Sequence, residues 1–329
     1  MENPKTFLLV MPDYSDFPDL FLKNLEQSGF KAFLITDKIN KFKYKGYERL
    51  VNFYKKTFFR DYSLKKELVE NFTLNEYSKK TDKLPATFDY ILVIRPDQFP
   101  IPFIQNLKNK TSKLIAYQWD GIAKFPDIKY YYSFFDSFYC FENVENVRNI
   151  KKITNFYFDL AEFRPSKDIN TDRPPVFYFV GLDWENRREM IDKFVEFAVR
   201  RRITLDFYMQ EFEKNNHKNP HIKYIKDRIT FAENLEHVKN ADVLLDFVDS
   251  RHAGLSIRFF EGLYYKKKVI TDNKMVKNYD FYHPNNIFVL DGSNYDLIED
   301  FLNLSYHEMS EEIVKKYSFS SWIKEITKN

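Results

Sequence analysis

Residues 252–273, HAGLSIRFFEGLYYKKKVITDN, combine groups that together can bind a phosphate-containing ligand. Two of the chain's seven glycines, Gly254 and Gly262, lie here, with Arg258 and Glu261 between them. The segment SIRFFEGLYY has the apolar spacing of a helix, and its arginine and glutamate are three residues apart, so they share a face. A glycine before a helix lets a ligand approach the backbone, and the amides and dipole of a helix start bind phosphate. The spacing therefore predicts an anion site at this helix start.

The groups at this helix start can each take a role in binding a nucleotide. The amides of Leu255, Ser256 and Ile257 have no partner within the helix, so they can donate hydrogen bonds to phosphate oxygens. Arg258 can add a bidentate guanidinium contact, and Glu261 can accept hydrogen bonds from a diol such as ribose.

The same residues also fit a purely structural interpretation. Ser256 can cap the helix and Gly254 can form a turn. Arg258 with Glu261 can form a surface ion pair worth about 0.2–0.5 kcal/mol. His252, in the loop before the helix, is a further candidate for the site. Because both interpretations fit this stretch, the surrounding elements have to decide between them.

Short apolar runs alternate with helical patterns along the chain. In the first half the strand-like runs are KTFLLVM, KAFLITD, FDYILVIRPD, SKLIAYQWDG and DSFYCFE. In the second half they are VFYFVG, ITLDFYM, DVLLDFV and NIFVL. Continuous apolar strands separated by helices predict parallel sheets that are covered on both faces, and hence an α/β fold.

The proline-rich segment 162–175, EFRPSKDINTDRPP, has no hydrophobic period and is predicted to be a linker. It separates a first domain, residues 1–161, from a second, residues 176–310. Residues 311–329 are predicted to form a C-terminal helical region that crosses back to the first domain.

Composition excludes several classes of protein. Cys140 is the only cysteine among 329 residues, and the sequence has no Cys/His spacing, so disulfide and structural zinc sites are not expected. No apolar run approaches the roughly 18 residues of a membrane-spanning helix, and no signal peptide is recognisable. We therefore expect a cytoplasmic protein. The lysines at 266–268 are assigned to a surface turn.

The order of elements in the second half resembles the donor-binding domain of GT-B glycosyltransferases. A strand ending in Gly181 opens the domain, the strand DVLLDFV leads into the turn HAGLS, and the next helix carries Glu261. Together with YQWDG and DSFYCFE, the pattern is similar to bacterial enzymes of lipopolysaccharide or capsule assembly. The resemblance implies two Rossmann-like domains facing a cleft, a nucleotide-sugar donor, a glycan or lipid-linked glycan acceptor and no further cofactor.

One departure from that family bears on the reaction. Many retaining members carry two glutamates eight residues apart, and Glu261 matches the second, but Ala253 stands where the first would be. Retention is therefore not implied. Because no strand-flanked DxD motif is present, we also expect no metal requirement. The resemblance implies that Arg187 or Arg188 contacts the diphosphate, with solvated helix charges as the alternative.

A catalytic base in the first domain has to be a carboxylate, because all six histidines lie after residue 216. The candidates, in order, are Asp120, Asp13 and Asp16. Trp119, beside the first, can stack on a sugar acceptor. The alternatives are an Asp-Gly turn at 120 and a helix cap at 16.

Residues 37–60, DKINKFKYKGYERLVNFYKKTFFR, carry eight Lys or Arg against two acids, interleaved with aromatics. This composition suits peripheral contact with an anionic membrane or an anionic acceptor, and the alternative is a solvated helix face. The net charge of the whole chain is only +3, so no nucleic-acid partner is expected.

Two other functions fit the same sequence. A nucleotide-sugar epimerase of this fold would convert the donor without an acceptor. A non-catalytic nucleotide-binding or scaffold protein would bind the nucleotide without turning it over.

Overall fold

A computed structural model describes residues 3–159, 173–211, 218–248 and 254–328. The chain divides into two compact units. The first unit comprises residues 1–14 and 18–152, and the second comprises residues 15–17 and 153–329.

The first unit is built on a six-stranded sheet whose paired strands all run parallel. Its strands are β1 (Thr6–Met11), β2 (Lys31–Thr36), β3 (Tyr90–Ile94), β4 (Leu114–Tyr117), β5 (Ser137–Cys140) and β6 (Ile150–Lys152). Their spatial order is β2-β1-β3-β4-β5-β6. The intervening helices are α1 (Phe17–Gln27), α2 (Glu48–Phe58), α3 (Ser63–Thr81) and α4 (Ile101–Lys108). The central strands β3, β4 and β5 are buried along their whole length, as expected for apolar strands covered on both faces.

The second unit holds another six-stranded parallel sheet. Its strands are β7 (Val176–Leu182), β8 (Thr204–Gln210), β9 (Lys223–Ile225), β10 (Val243–Asp246), β11 (Lys268–Thr271) and β12 (Ile287–Val289). Its helices are α5 (Glu185–Arg200), α6 (Phe231–Asn240), α7 (Ile257–Tyr264), α8 (Ile298–Asn303), α9 (Glu311–Lys316) and α10 (Phe319–Thr327).

The strand order of the second sheet is β12-β11-β10-β7-β8-β9, so the direction of winding reverses between β7 and β10. Ligands of doubly wound sheets bind at such a reversal, beyond the carboxyl ends of the strands. The prediction of an α/β fold with two Rossmann-like sheets is confirmed.

The C-terminal helix α10 packs inside the second unit. Trp322 is buried with its ring 4.7 Å from that of Phe156, and Phe319 stacks on Phe158 at 5.5 Å. Most of the predicted linker, residues 162–172, lies outside the described residues. After it, Arg173 forms a bidentate ion pair with Asp242, at 2.7 and 3.0 Å.

The assignment of the lysines at 266–268 to a surface turn is wrong for two of them. Lys267 and Lys268 are buried, because their ammonium groups donate to backbone carbonyls near the C-terminal ends of α6 and α8. Carbonyls at a helix C-terminus lack some of their usual partners, so a lysine there helps to satisfy them and complements the helix dipole.

Gly262 is required where α7 packs on β11. A Cβ at this position would lie 2.6 Å from Cγ2 of Val269 and 3.4 Å from the carbonyl oxygen of Lys267. The glycine therefore allows the helix to approach the sheet closely, and this packing fixes the position of the helix start at the end of β10.

We expect Gly262→Ala to destabilise the second unit by about 1–3 kcal/mol through overpacking, although alanine favours helix. Urea unfolding measures this as a lower midpoint. Adding Val269→Ala should recover part of the loss by removing the clashing methyl group. A midpoint unchanged or raised in the single variant would contradict the close packing.

Candidate functional site

The candidate site lies in the second unit, where β7 and β10 end and α7 begins. Gly181 is near the end of β7, and Asp246 is the last residue of β10. Ser256, which precedes α7, donates a hydrogen bond from its hydroxyl to Asp246 at 2.5 Å. The start of α7 is thereby held at the reversal of strand order.

Among the described residues, no side chain caps the start of α7. The hydroxyl of Ser256 donates to Asp246, and it accepts no hydrogen bond from an α7 amide. Within the described part of the chain, the amides of Leu255, Ser256 and Ile257 have no hydrogen-bond acceptor. The interpretation of Ser256 as a helix cap is therefore wrong. Ser256 and Ile257 are half-buried, whereas Leu255 is fully buried in the core.

Two asparagines hold the backbone just before the helix. The side-chain amide of Asn155 donates to the carbonyl of Leu255 at 2.9 Å, and that of Asn273 donates to the carbonyl of Gly254 at 3.4 Å. With these carbonyls bound inwards, the backbone before α7 is fixed by long-range contacts.

Arg258 and Glu261 are buried rather than exposed, at 8% and 1% relative accessibility. Glu261 accepts a hydrogen bond from the side chain of Asn234 at 2.9 Å, and Asn234 accepts one from the hydroxyl of Tyr178 at 3.0 Å. The guanidinium of Arg258 lies 5.3 Å from the centre of the Tyr178 ring. The interpretation of Arg258 and Glu261 as a surface ion pair is therefore wrong.

The buried ion pair is incompletely satisfied. Nε of Arg258 and Oε2 of Glu261 are 3.7 Å apart, and neither atom has a hydrogen-bond partner in the described structure. A buried charge without hydrogen bonds is costly, so this pair favours any ligand that supplies a partner. Burial raises the pKa of Glu261, while the charge of Arg258 and the hydrogen bond from Asn234 oppose that shift.

Arg187 lies across the ends of β7 and β10. Its guanidinium donates to the carbonyl of Leu182 through Nε at 3.0 Å and to that of Phe247 at 3.4 Å. A Cβ on Gly181 would lie 2.8 Å from the same guanidinium. Gly181 therefore makes room for Arg187, whose charge stays at the end of the sheet.

Arg188 is engaged by the loop that precedes its helix. Its Nε donates to the carboxylate of Asp183 at 2.7 Å, and the Asp183 side chain is fully buried. This contact fixes Arg188 beside the first turn of α5.

Two carboxylates add negative charge at this edge of the sheet. Burial and the charge of Asp246 raise the pKa of Asp272, whereas Arg187 and an amide hydrogen bond from Val248 lower it. The positive charge of Arg187 thus offsets the negative charges of Asp246 and Asp272, which would otherwise repel a phosphate.

In the first unit, Asp120 belongs to an ion-pair cluster around Arg95. This arginine, buried at the end of β3, pairs with Asp120 and with Asp97 and stacks 4.1 Å from the ring centre of Phe125. Lys124 lies 3.4 Å from the other oxygen of Asp120. Arg95 has a left-handed backbone conformation, with φ of 55°. Its ion pairs with Asp97 and Asp120 and its stacking on Phe125 hold this conformation in place.

Trp119 and Asp13 lie near the same end of this sheet. Trp119 stacks on Tyr14, with ring centres 5.6 Å apart. Asp13 is partly exposed, pairs with Lys38 at 3.5 Å, and donates its amide hydrogen to Asp37.

Asp16 belongs to the second unit and binds a helix start. Its two carboxylate oxygens accept hydrogen bonds from the amides of Phe231 and Ala232, at 2.6 and 3.0 Å. Asp16 therefore caps α6, whereas the sequence suggested a cap for α1. His252 lies outside the described residues.

Sequence reasoning missed the partners supplied by other elements. The site is contacted by Asn234 from α6, by Tyr178 from β7 and by Asn155 from the segment before β7. No local sequence pattern indicates such contacts. Arg95 had a signal, because it directly follows the apolar run FDYILVI at the end of a strand.

No three His, Cys, Asp or Glu side chains come together as a metal site within residues 3–159, 173–211, 218–248 and 254–328. Over the same ranges, none of the helices combines the length and the apolar character needed to cross a bilayer.

The chain matches no protein-family model, and no curated protein matches its sequence significantly. Solved structures resemble it over almost its whole length. A UDP-forming α,α-trehalose-phosphate synthase from Burkholderia xenovorans is 9% identical, with a TM-score of 0.57, and the match covers 99% of this chain and 98% of that one.

Two further structures show the same similarity. An α-glucosyltransferase solved with UDP and a 13-mer DNA is 11% identical, with a TM-score of 0.56 and coverage of 99% and 100%. The lipopolysaccharide outer core galactosyltransferase WaaB is 11% identical, with a TM-score of 0.53 and coverage of 97% of both chains. At such identities the similarity defines the fold, and the predicted GT-B fold class is confirmed.

The raised pKa of Glu261 predicts a pH-dependent cost of folding. The carboxyl binds its proton more tightly in the folded state than in the unfolded state, where its pKa is near the ordinary 4.5. The free energy of unfolding should therefore fall as pH rises above 4.5. Glu261→Gln removes this term, so the variant should gain stability relative to the wild type as pH rises above 4.5, measured by urea unfolding.

Glu233, on α6, is the matched control. Hydrogen bonds from Thr230 lower its pKa, so Glu233→Gln should instead lose stability relative to the wild type as pH rises. A pH-independent difference between Glu261→Gln and the wild type would show that burial does not oppose ionisation there.

Proposed function

We propose that this chain is a glycosyltransferase. In this proposal the second unit binds a nucleotide-sugar donor, and the first unit presents an acceptor hydroxyl. The observation that carries the proposal is the uncapped start of α7, beside an unsatisfied buried Arg258–Glu261 pair, at the strand-order reversal of the second sheet. The fold shared with solved glycosyltransferases supports it.

The donor diphosphate would bind the amides of Ser256 and Ile257, which are half-buried, rather than that of the fully buried Leu255. Departure of the nucleotide leaves negative charge on this diphosphate while the sugar becomes oxocarbenium-like, and preorganised donors stabilise that charge. Arg187, fixed at the end of β7, is suitably placed to add positive charge within the same unit. Glu261 would accept hydrogen bonds from the ribose hydroxyls. Its Oε2 would become accessible to them when Arg258 moves to contact the phosphate.

The acceptor hydroxyl would lose its proton to one of three candidate carboxylates, two of which lie in the first unit. Asp120 and Asp13 both lie at the carboxyl end of the first sheet, and Trp119 beside them offers an aromatic face to a sugar. Asp16 is the weakest of the three candidates, since both of its oxygens already accept amide hydrogen bonds.

We further propose that the acceptor is a surface glycan or its lipid-linked precursor, and that the reaction takes place in the cytoplasm at the inner membrane without a metal ion. The similarity to the fold of WaaB, a lipopolysaccharide galactosyltransferase, supports this choice of acceptor. Cations and helix amides can stabilise a diphosphate leaving group without a metal.

A nucleoside diphosphate should raise the melting temperature by several degrees, because binding to the native state stabilises it by mass action. Screening UDP, GDP and their sugars by thermal shift, with CMP and its sugars as a monophosphate comparison, identifies the nucleotide. EDTA should leave the shift unchanged, and Arg258→Ala should remove most of it. Arg201→Ala is the matched control, because that arginine forms exposed ion pairs with Asp296 and Glu299.

Two results would count against donor binding at this site. One is the absence of any nucleotide-induced shift. The other is an equal loss in Arg258→Ala and Arg201→Ala. Dependence of the shift on a metal that EDTA removes would contradict the metal-independent part alone.

Asp120→Asn should keep the nucleotide-induced shift and slow sugar transfer by about 10²–10⁴-fold, since it removes the proposed base. Nucleotide release from the identified donor, with and without an envelope glycan extract, measures transfer. Asp97→Asn is the control, because it also removes a partner of Arg95. Equal slowing in both variants would assign Asp120 to the positioning of Arg95, and donor conversion without acceptor would favour an epimerase.

A further inference from the structure

Helix α2 in the first unit has its polar face directed inwards. Its half-buried residues are Glu48, Asn52 and Lys55, spaced four and three apart, whereas no residue of the helix is fully buried. The opposite face is apolar and exposed, with Phe53 at 64% and Phe58 at 68% relative accessibility. A surface helix normally directs its apolar face to the core, so α2 is reversed.

The exposed apolar side chains are concentrated on α2 and at its two ends. We define the α2 patch as the side chains of Tyr47, Leu50, Phe53, Tyr54, Phe58 and Phe59. The ring of Tyr54 lies 4.8 Å from that of Phe58 and 5.7 Å from that of Phe59, so the aromatics cluster. Of the seven exposed large aromatics in the described structure, six lie between residues 47 and 62. Concentrated apolar exposure of this kind marks an interaction site.

Positive charge is concentrated around the same helix. Residues 37–60 carry a formal charge of +6, while the rest of the chain, with 43 Lys or Arg and 46 Asp or Glu, carries −3. Seven of the eight cations in this segment are exposed. The basic excess of the protein thus borders its exposed aromatic surface, which is complementary to an apolar layer covered by anionic groups.

We propose that the α2 patch docks the protein on an anionic lipid surface. The helix would lie in the interface, with Phe53 and Phe58 in the acyl region and the cations at the headgroups. Arg49 and Lys56, at the border of the apolar face, can extend their charged ends toward lipid phosphates while their stems cover apolar surface. The alternative interpretation, a solvated helix face, would leave the aromatic side chains of this outward face in water.

A second copy of the chain fits the patch less well than lipid does. A symmetric dimer through α2 would bring two identical basic segments, each of formal charge +6, against one another. Like charges at an interface oppose association, whereas an anionic bilayer attracts both the charge and the apolar face.

Co-sedimentation of the full chain with vesicles tests the proposal. The protein should bind vesicles of phosphatidylglycerol with phosphatidylcholine, and bind phosphatidylcholine alone much more weakly. Phe53→Ser with Phe58→Ser should weaken binding about tenfold or more by removing apolar burial. Arg49→Gln with Lys56→Gln should weaken it about tenfold and reduce its sensitivity to salt.

Matched controls separate the patch from general surface effects. Tyr130→Ser removes an exposed aromatic of the first unit outside the patch, and Lys193→Gln with Arg201→Gln removes two exposed cations of the second unit. Both should bind as the wild type does. No binding to anionic vesicles, or equal binding by all variants, would overturn the proposal. So would a concentration-dependent dimer, seen by ultracentrifugation, that the Phe53/Phe58 variant abolishes while vesicle binding persists.

Discussion

The candidate site depends on charged and polar groups that the fold buries without fully satisfying. Nε of Arg258 and Oε2 of Glu261 lie beneath the start of α7 with no hydrogen-bond partner in the described structure. Above them, Ser256 donates its hydroxyl to Asp246 rather than capping the helix. Such an arrangement costs stability in the free protein, and folded proteins keep costs of this kind mainly at functional sites. A bound anion at this helix start would give Nε of Arg258 an acceptor, and a ligand hydroxyl would give Oε2 of Glu261 a donor.

Long-range packing holds this arrangement in place. Gly262 lets α7 lie close to β11, and the side chain of Asn155 fixes the carbonyl of Leu255 from a segment a hundred residues earlier in the chain. Lys267 and Lys268 tie β11 to the ends of two helices. The short helix is thus positioned by its neighbours rather than by its own sequence, as expected for eight residues.

The sequence was sufficient for the fold and for the place of the candidate site within it. Uninterrupted apolar strands such as YILVI and VFYFV can only be buried on both faces, and this property predicted two parallel sheets. It could not predict that Arg258 and Glu261 are buried, because Asn234 and Tyr178 meet them only in the folded chain. Nor could periodicity show which face of α2 points outwards. A hydrophobic period gives two faces, and only tertiary contacts decide which one is covered.

Amide chemical shifts at the start of α7 test the central claim most directly. In a ¹⁵N-labelled protein titrated with inorganic pyrophosphate and then with the stabilising nucleoside diphosphate, the amides of Ser256 and Ile257 should shift strongly downfield as they donate to phosphate. Arg201→Ala is the control, and on titration its Ser256 and Ile257 amides should shift as they do in the wild type. If saturating nucleotide left Ser256 and Ile257 unmoved while amides elsewhere shifted, the start of α7 would not be the phosphate site.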